Sequence, residues 1–284
     1  MKKSSVFIVC CLCFVFCFGI CGISSADKIM IVADQWCPYN CEPESDRPGY
    51  MVEITKMIFA RAGHTVIYKN VPWNRALSGT YKGYYQAVIA GTPDNTKLDT
   101  ALISETSEKA EPSDSEFIFP EKEQGRMNNC FFIMKNNPWR YKGPDSLKGQ
   151  MLGLVQGYGY PAIQSFIDKN RDAVDAIGGD NVLARNIQKL LAGRISVILE
   201  DEAVFQYTAS GMGLADKFIS AGSDGTPDEK NNLYIAFTPQ RNNPKSETYA
   251  KILSEGMNTI RENKMIDNIL QKYGLTDWIP DEQE

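Results

Sequence analysis

The chain has 284 residues, of which 43% are hydrophobic, 23% charged and 11% aromatic. These proportions are typical of a folded globular protein and exclude a disordered chain, a collagen or a coiled coil. Thirty basic and 35 acidic residues give a net charge of −5, which argues against a protein that binds the phosphate backbone of nucleic acids. His64 is the only histidine, which argues against multi-histidine metal sites and most histidine-based catalytic groups. Its place between Gly63 and a predicted strand indicates a surface position.

The N-terminal segment, residues 1–26, has the three parts of a secretory signal peptide. A basic start is followed by an apolar run over residues 6–23 and by small residues up to Ala26. Cleavage after Ala26 would release the chain into the periplasm. One alternative is a membrane anchor, because the apolar run is about as long as a short membrane span. Another is a lipid anchor on Cys21, which the bulky Ile20 before it disfavours.

Three of the eight cysteines follow this segment: Cys37, Cys41 and Cys130. In an exported protein the closely spaced Cys37 and Cys41 could form a disulfide; alternatively, all three are small packed thiols. Three cysteines and one histidine argue against a metal site, and no cofactor is expected.

The first part of the mature chain alternates strands and helices. Short β-branched runs predict strands at residues 28–33, 66–68 and 87–90. Apolar residues with helical spacing predict a helix at 51–62, and a second helix begins at residue 75. This alternation is typical of an open, mostly parallel sheet.

A second unit repeats the alternation. Strands are predicted at residues 129–134, 151–155, 195–199 and 233–237. Helices are predicted at residues 160–167 and 182–191, from residue 202, and as an amphipathic helix or helix pair over 246–273. The predicted architecture is therefore α/β with two lobes, each a mixed, mostly parallel sheet flanked by helices.

Several pieces of sequence occur in an order that resembles a known family. They are ADQWCPY at 33–39, PWNRA at 72–76, LKGQ at 147–150, GLVQGY at 153–158, and LAGRI at 191–195 followed by Asp201. Together they are spread over nearly the whole mature chain. They resemble the type 2 periplasmic solute-binding proteins, in the amino-acid-type group (family 3) that serves ABC importers.

The resemblance implies a discontinuous two-lobe fold with a ligand cleft between the lobes. The first lobe would comprise residues 27–123 and 234–284, and the second lobe 124–233, with hinge crossovers near 121–125 and 231–234. Closure around a small polar, amino-acid-like solute would let the membrane permease of an ABC importer distinguish loaded from empty protein. The implied protein is a periplasmic monomer that binds no nucleic acid and catalyses no reaction.

Residues after the carboxyl ends of strands are the candidate ligand contacts, because loops converge there in open α/β sheets. Trp36 and Tyr39 follow the first strand and would cover an apolar or cationic part of the solute. Trp73 and Arg75 follow the second strand, and the Arg75 guanidinium could hold a carboxylate through two hydrogen bonds. Thr92 follows the third strand, where the family offers hydroxyl and backbone hydrogen bonds. For each residue the alternative is ordinary packing or a solvated surface position.

In the second lobe, Asp201 matches an acid that often receives a ligand's ammonium group in this family. Its neighbours Glu200 and Glu202 compete for that role. Tyr158 and Tyr160, in a glycine-rich loop, could close over the ligand or simply cap a tight turn.

Three departures from the family pattern argue against a standard α-amino acid as the solute. The segment after Thr92 lacks the arginine that usually clamps the α-carboxylate, and Lys97 is its nearest cation. Tyr158 replaces a small hydroxyl residue, and Ser196 stands where the family has a further acid. An amino-acid-like or other small polar solute fits these departures.

Two other functions are alternatives. One is an enzyme on the same scaffold, resembling a dehydratase, with a buried acid or base such as Glu53 or Asp201. The other is the sensing domain of a receptor. A binding protein would return its solute unchanged, whereas an enzyme would not.

Overall fold

The computed structural model describes residues 26–93, 96, 116–225 and 229–279. Apart from Ala26, the predicted signal peptide lies outside the described residues, as does Lys97. No helix within the described ranges is long and apolar enough to cross a membrane.

Ten strands in the described part of the chain form two five-stranded sheets, one in each lobe. The strands are β1 (Lys28–Ala33), β2 (Thr65–Asn70), β3 (Ala87–Gly91), β4 (Gly125–Arg126), β5 (Asn129–Met134), β6 (Leu152–Val155), β7 (Val174–Ile177), β8 (Val197–Asp201), β9 (Phe218–Ser223) and β10 (Asn232–Phe237). The first sheet has the order β2-β1-β3-β10-β4 and the second β7-β6-β8-β5-β9. In each, three parallel strands are followed by a strand that runs antiparallel to them. The predicted α/β architecture with two sheets is confirmed.

Seven α-helices of the described chain flank these sheets: α1 (Tyr50–Arg61), α2 (Trp73–Tyr81), α3 (Gln164–Lys169), α4 (Val182–Leu191), α5 (Glu202–Gly211), α6 (Ser246–Glu262) and α7 (Met265–Gln271). Helix α1 buries Met51, Ile54 and Ile58, which share one face because they are three or four residues apart. Helix α6 buries Leu253 against the same lobe. The two helices approach closely at Gly256, where a Cβ atom would overlap the Ile58 side chain.

The boundaries of some elements differ from those predicted. Strands β4, β7 and β9 were not predicted. Strand β4 has only two residues, β7 has no buried residue and no clear alternation, and β9 contains two serines and a glycine. The helix predicted at 160–167 is a 3₁₀ turn, Pro161–Ile163, followed by α3. Strand β8 begins two residues later than predicted and extends through Asp201, so Glu200 and Asp201 both belong to the strand and point to opposite faces.

The expected surface position of His64 is wrong. Its side chain is only 8% exposed and lies edge-on to Phe59 and Tyr249. The His64 Nδ1 atom accepts a hydrogen bond from the Asp27 backbone N–H at 3.2 Å. The Tyr249 hydroxyl and the Lys245 ammonium both donate to the Asp27 carboxylate. This histidine therefore fixes the start of the described chain to the first lobe.

The chain crosses between the lobes next to β4 and β10. Strand β4 pairs with the start of β10 through Leu233 and Gly125, and β5 of the second sheet begins at Asn129. Strand pairing thus keeps residues 125–126 and 232–233 with the first sheet, slightly outside the predicted lobe limits. The helices that follow β10 pack on the first lobe, as the discontinuous arrangement requires.

Candidate ligand-binding cleft

A cavity of about 760 Å³ lies between the two sheets, where the carboxyl ends of their parallel strands face each other. This volume is within the range of small-molecule sites. Both lobes contribute to its wall. The side chains that matter most are Asp34, Trp36, Trp73 and Thr92 from the first lobe and Tyr158, Tyr160 and Glu200 from the second.

Two hydrogen bonds cross the cleft and join the lobes. The Tyr158 hydroxyl donates to Asp34 Oδ2 at 2.7 Å, and the Trp36 Nε1–H donates to Glu200 Oε1 at 3.0 Å. The rings of Trp73 and Tyr158 also meet edge to face across the cleft, with centroids 6.4 Å apart. The lobes therefore stand in a closed arrangement around the cavity.

The loop after β1 is a small, tightly fixed unit that presents Trp36. Cys37 and Cys41 are joined by a disulfide, with their Cα atoms 4.8 Å apart, and the Cys37–Pro38 peptide is cis. Backbone hydrogen bonds link Trp36 to Asn40 in both directions. The Trp36 indole stacks on the Tyr39 ring at 4.4 Å. One face of the indole is thus covered by the protein itself.

Gly49, just before α1, allows this loop to pack. Its φ is +107°, a conformation that glycine adopts readily and other residues rarely do. A Cβ atom there would overlap the backbone of Tyr39 and Asn40.

Glu200 is the acid of β8 that lines the cavity, although it is only 6% exposed. Burial raises its pKa to about 7 because the charged form loses hydration. Hydrogen bonds from the Trp36 indole and the Asp201 backbone N–H oppose the shift, whereas the nearby Asp201 and Asp34 charges add to it. A carboxyl with this pKa changes its charge near neutral pH.

Asp201, the acid predicted to bind the ligand, does not line the cavity. It is 1% exposed, and its carboxylate accepts hydrogen bonds from the Val204 and Asn128 backbone N–H groups and from the Tyr39 hydroxyl. It is therefore the N-cap of α5. Because successive side chains of a strand point to opposite faces, the extension of β8 through Asp201 puts Glu200 at the cavity instead.

Tyr39 and Arg75, also predicted as ligand contacts, lie outside the cavity wall. Tyr39 is 2% exposed, and its ring lies behind Trp36. Arg75 is exposed on the first turn of α2. It is two residues after Trp73, and a helix turns by about 200° over that distance, so the two side chains point to opposite sides.

The other four predicted contacts, Trp73, Thr92, Tyr158 and Tyr160, line the cavity with Trp36. Thr92 is 4% exposed just after β3. The Tyr160 hydroxyl accepts a hydrogen bond from the Val155 backbone N–H at 2.9 Å, which fixes the loop after β6.

Three charged residues of the wall, Asp34, Asp224 and Lys230, were not considered as ligand contacts in the sequence. Burial raises the pKa of both Asp34 and Asp224 above their usual range, with partial compensation from hydrogen bonds of Tyr158 and Asn129, respectively. Asp34 immediately follows β1, so its position at a strand end could have identified it. Asp224 directly follows β9, which was not predicted, and Lys230 lies just before β10.

The described wall thus combines four aromatic rings with three carboxyl groups and one lysine. Such a surface suits a small solute that has an apolar stem and polar ends. Within the described ranges, no group of three or more His, Cys, Asp and Glu side chains is arranged to hold a metal ion.

No family model matches the sequence, and no curated protein matches it. Solved structures resemble its fold, however. One of them comes from work on glutathione import in Gram-positive bacteria via GshT and the cystine ABC importer TcyBC of Streptococcus mutans. Its TM-score is 0.69 at 17% sequence identity, and the match covers 90% of this chain and 98% of that one.

Two further structures have similar scores. An ancestral arginine-binding protein bound to arginine has a TM-score of 0.62 at 17% identity, over 87% of this chain and 97% of that one. A histidine kinase sensor domain with similarity to periplasmic binding proteins has a TM-score of 0.63 at 16% identity, over 87% and 95%. The fold implied by the sequence resemblance, that of type 2 periplasmic binding proteins, is confirmed.

Proposed function

We propose that this chain is an extracytoplasmic solute-binding protein that captures a small polar, amino-acid-like solute and delivers it to the membrane permease of an ABC importer. The observation that carries the proposal is the cavity between the lobes, whose opposite walls are joined by the Tyr158–Asp34 and Trp36–Glu200 hydrogen bonds. Because each bond has one partner in each lobe, the complete site exists only when the lobes meet. Solute binding and lobe closure would therefore be one coupled event.

The structural neighbours support a role in import. The Streptococcus mutans structure concerns glutathione import via GshT and an ABC importer, and the ancestral protein binds arginine. Both are covered almost completely by this chain, so the likeness extends over both lobes. Fold alone does not define function, and the proposal rests on the cleft.

Several features of the proposed protein go with this function. The chain would be exported to the periplasm, lose residues 1–26, and act as a monomer without a cofactor or nucleic acid. Residues 27–123 and 234–284 would form one lobe and residues 124–233 the other. Trp36, Trp73, Thr92, Tyr158 and Tyr160 would contact the solute, with Glu200 in the role first given to Asp201.

Two observations favour alternatives. The likeness to a histidine kinase sensor domain fits a sensing domain, which would also bind a solute by closure. A buried carboxyl in the cleft with a pKa of about 7 is what a general acid or base requires. We propose a binder, because Glu200 already accepts two hydrogen bonds that fix its position across the cleft.

The test is thermal unfolding of the exported protein with a panel of amino acids, amines, carboxylic acids and small sugars. A ligand at a hundredfold excess over its Kd adds about 2.7 kcal/mol, or roughly 5–10 °C for a chain of this size. Mass spectrometry should find a chain that begins at Asp27 and a solute recovered unchanged. No shift with any member would contradict the proposal, and a chemically altered solute would favour the enzyme.

A further inference from the structure

The described wall of the cleft has an excess of acidic groups. Asp34, Glu200 and Asp224 line it, whereas Lys230 is the single basic side chain of the described wall. In the described part of the chain, none of the three carboxyl groups takes part in an ion pair. Carboxylates taken out of water without a cation are unfavourable, so these three groups are a feature that the fold alone does not require.

The hydrogen bonds to the two acids at the lobe contact come only from neutral groups. The Tyr158 hydroxyl donates to Asp34. Glu200 receives the Trp36 indole N–H and the Asp201 backbone N–H, both on Oε1. Its Oε2 has no donor among the described residues, although the side chain is 6% exposed and faces the cavity. A ligand in the cavity could therefore donate the hydrogen bond that this oxygen does not receive from the described residues.

Aromatic rings stand beside these acids. Trp36 and Trp73 come from the first lobe and Tyr158 and Tyr160 from the second. Tryptophan and tyrosine faces attract organic cations through the ring quadrupole. Carboxylates and aromatic rings in one enclosed site together favour a positively charged group over a neutral one.

We propose that the cleft selects a solute with net positive charge, an organic ammonium or guanidinium compound whose cationic group lies between the Asp34 and Glu200 carboxylates. This inference rests on the proposed function and specifies its solute. One acid comes from each lobe, so the cation holds both lobes at once. It also provides a donor for Glu200 Oε2, which faces the cavity, and a positive charge for both acids.

This chemistry has two sources. One is a basic amino acid such as arginine, which also has a carboxylate. The other is an amine such as agmatine, which has the same guanidinium group without a carboxylate. The shared element is the cation, and the two sources are separate arms of the test.

The test is isothermal titration of the exported, full-length mature protein with arginine, agmatine, citrulline and glutamate. Citrulline matches arginine in shape but has a neutral end group. We expect arginine, agmatine or both to bind about 10- to 100-fold more tightly than citrulline, the effect of one charge-assisted hydrogen-bonded pair. Arginine alone identifies a basic amino acid, and agmatine alone identifies an amine.

Two variants test the role of the acid. Glu200→Gln keeps the shape and the acceptor for Trp36 but removes the charge, and should weaken cation binding about 10- to 100-fold. Glu202→Gln, exposed two residues further on, should leave it unchanged. If Glu200→Gln folds poorly in a melting experiment, Asp34→Asn makes the same test from the other lobe.

The outcomes separate this inference from the proposed function. Preference for citrulline or glutamate, or equal binding of arginine and citrulline, overturns the charge inference and leaves a solute-binding protein. Cation binding that Glu200→Gln and Asp34→Asn do not weaken also overturns it. Absence of binding by every solute here and in the wider panel contradicts both.

Discussion

The two lobes have the same strand arrangement but place different chemistry at their strand ends. In the first sheet β2, β1 and β3 are parallel and β10 runs against them, and in the second β7, β6, β8 and β5 take the same places. Strand β1 is followed by a disulfide-closed loop with Asp34 and Trp36. Its counterpart β6 is followed by an open glycine-rich loop with Tyr158 and Tyr160.

The difference makes the lobes complementary. Each provides an aromatic donor and an acid of the cavity wall. Each donor reaches the acid of the other lobe, since Trp36 bonds to Glu200 and Tyr158 bonds to Asp34. The common topology positions the strand ends, and the loops determine what they recognise. Groups that close the lobes are therefore the same groups that would hold the solute.

The largest effect on stability is expected from the two neighbouring acids of β8, because Asp201 stabilises the fold whereas Glu200 lines the cavity. Asp201→Ala leaves the backbone N–H groups of Val204 and Asn128 without their acceptor, while the Tyr39 hydroxyl keeps its bond to a backbone carbonyl. It should lower the free energy of unfolding by about 2–3 kcal/mol. Glu200→Gln replaces a desolvated carboxyl and should not lower it. Urea unfolding measures both, with the exposed Asp216→Ala as control. Equal losses of unfolding free energy for Asp201→Ala and Glu200→Gln would mean that both acids stabilise the fold to the same degree.

The next comparison is between the two cleft loops. Gly49→Ala should cost about 2–4 kcal/mol of unfolding free energy, because the site has positive φ and a Cβ atom would overlap backbone. Gly159→Ala, in the second lobe's loop with open space around it, should cost less than about 1 kcal/mol. Thermal melts of the two variants test this, and similar losses would show that the first loop is not the more rigid one.

The pH dependence should have opposite signs for stability and for cation binding. The pKa of Glu200 is about 7 in the folded protein and near 4.5 when unfolded, so the folded state binds the proton more tightly. Stability of the solute-free protein should therefore rise as pH falls from about 7 towards 4.5. Cation affinity requires the charged carboxyl and should fall roughly tenfold from pH 8 to pH 6.

The titratable groups near Glu200 also contribute to the pH dependence of stability and cation affinity. Asp201, with a pKa of about 6, and Asp34 titrate in the same direction, while Tyr158 and Tyr160 stay neutral because burial raises their pKa. Titration calorimetry and melts at a series of pH values give both curves. In Glu200→Gln the decline in cation affinity between pH 8 and pH 6 should be much weaker. If the affinity of this variant declines as steeply as that of the unmodified protein, the titrating group is not Glu200.

A smaller effect is expected from the hydroxyl that joins the lobes. Tyr158→Phe removes the donor to Asp34 and should weaken solute binding about three- to tenfold through faster dissociation. Tyr84→Phe, at a side chain that is 73% exposed, is the matched control. Stopped-flow release of the bound solute measures both. A Tyr158→Phe rate equal to that of the control would mean that this bond does not contribute to closure.

The smallest effect on solute affinity is expected at Arg75, which shares the first turn of α2 with Trp73. Arg75→Ala should change affinity less than twofold, because its side chain lies outside the cavity. Trp73→Ala should weaken binding, since its ring forms part of the wall. A large loss in Arg75→Ala would show that the arginine reaches the solute.

Sequence patterns predicted most strands and helices because their apolar residues repeat with clear periods. They missed the two-residue strand β4, and they missed β7 and β9, where exposed and small residues obscure that alternation. Sequence patterns could not distinguish Asp201 from its neighbour Glu200, because only the structure shows that the Asp201 side chain caps α5 whereas Glu200 lines the cavity. Pairings such as Trp36 with Glu200 join residues that are far apart in sequence, and only tertiary structure brings them together.

The central claim is that one solute site is built by acids from both lobes. Its most direct test is titration calorimetry of arginine and agmatine into the unmodified protein, Asp34→Asn and Glu200→Gln. We predict one solute per chain and a loss of at least about tenfold in each variant, since the cation contacts both lobes. Full affinity in both variants, or no binding to the unmodified protein, would contradict the account.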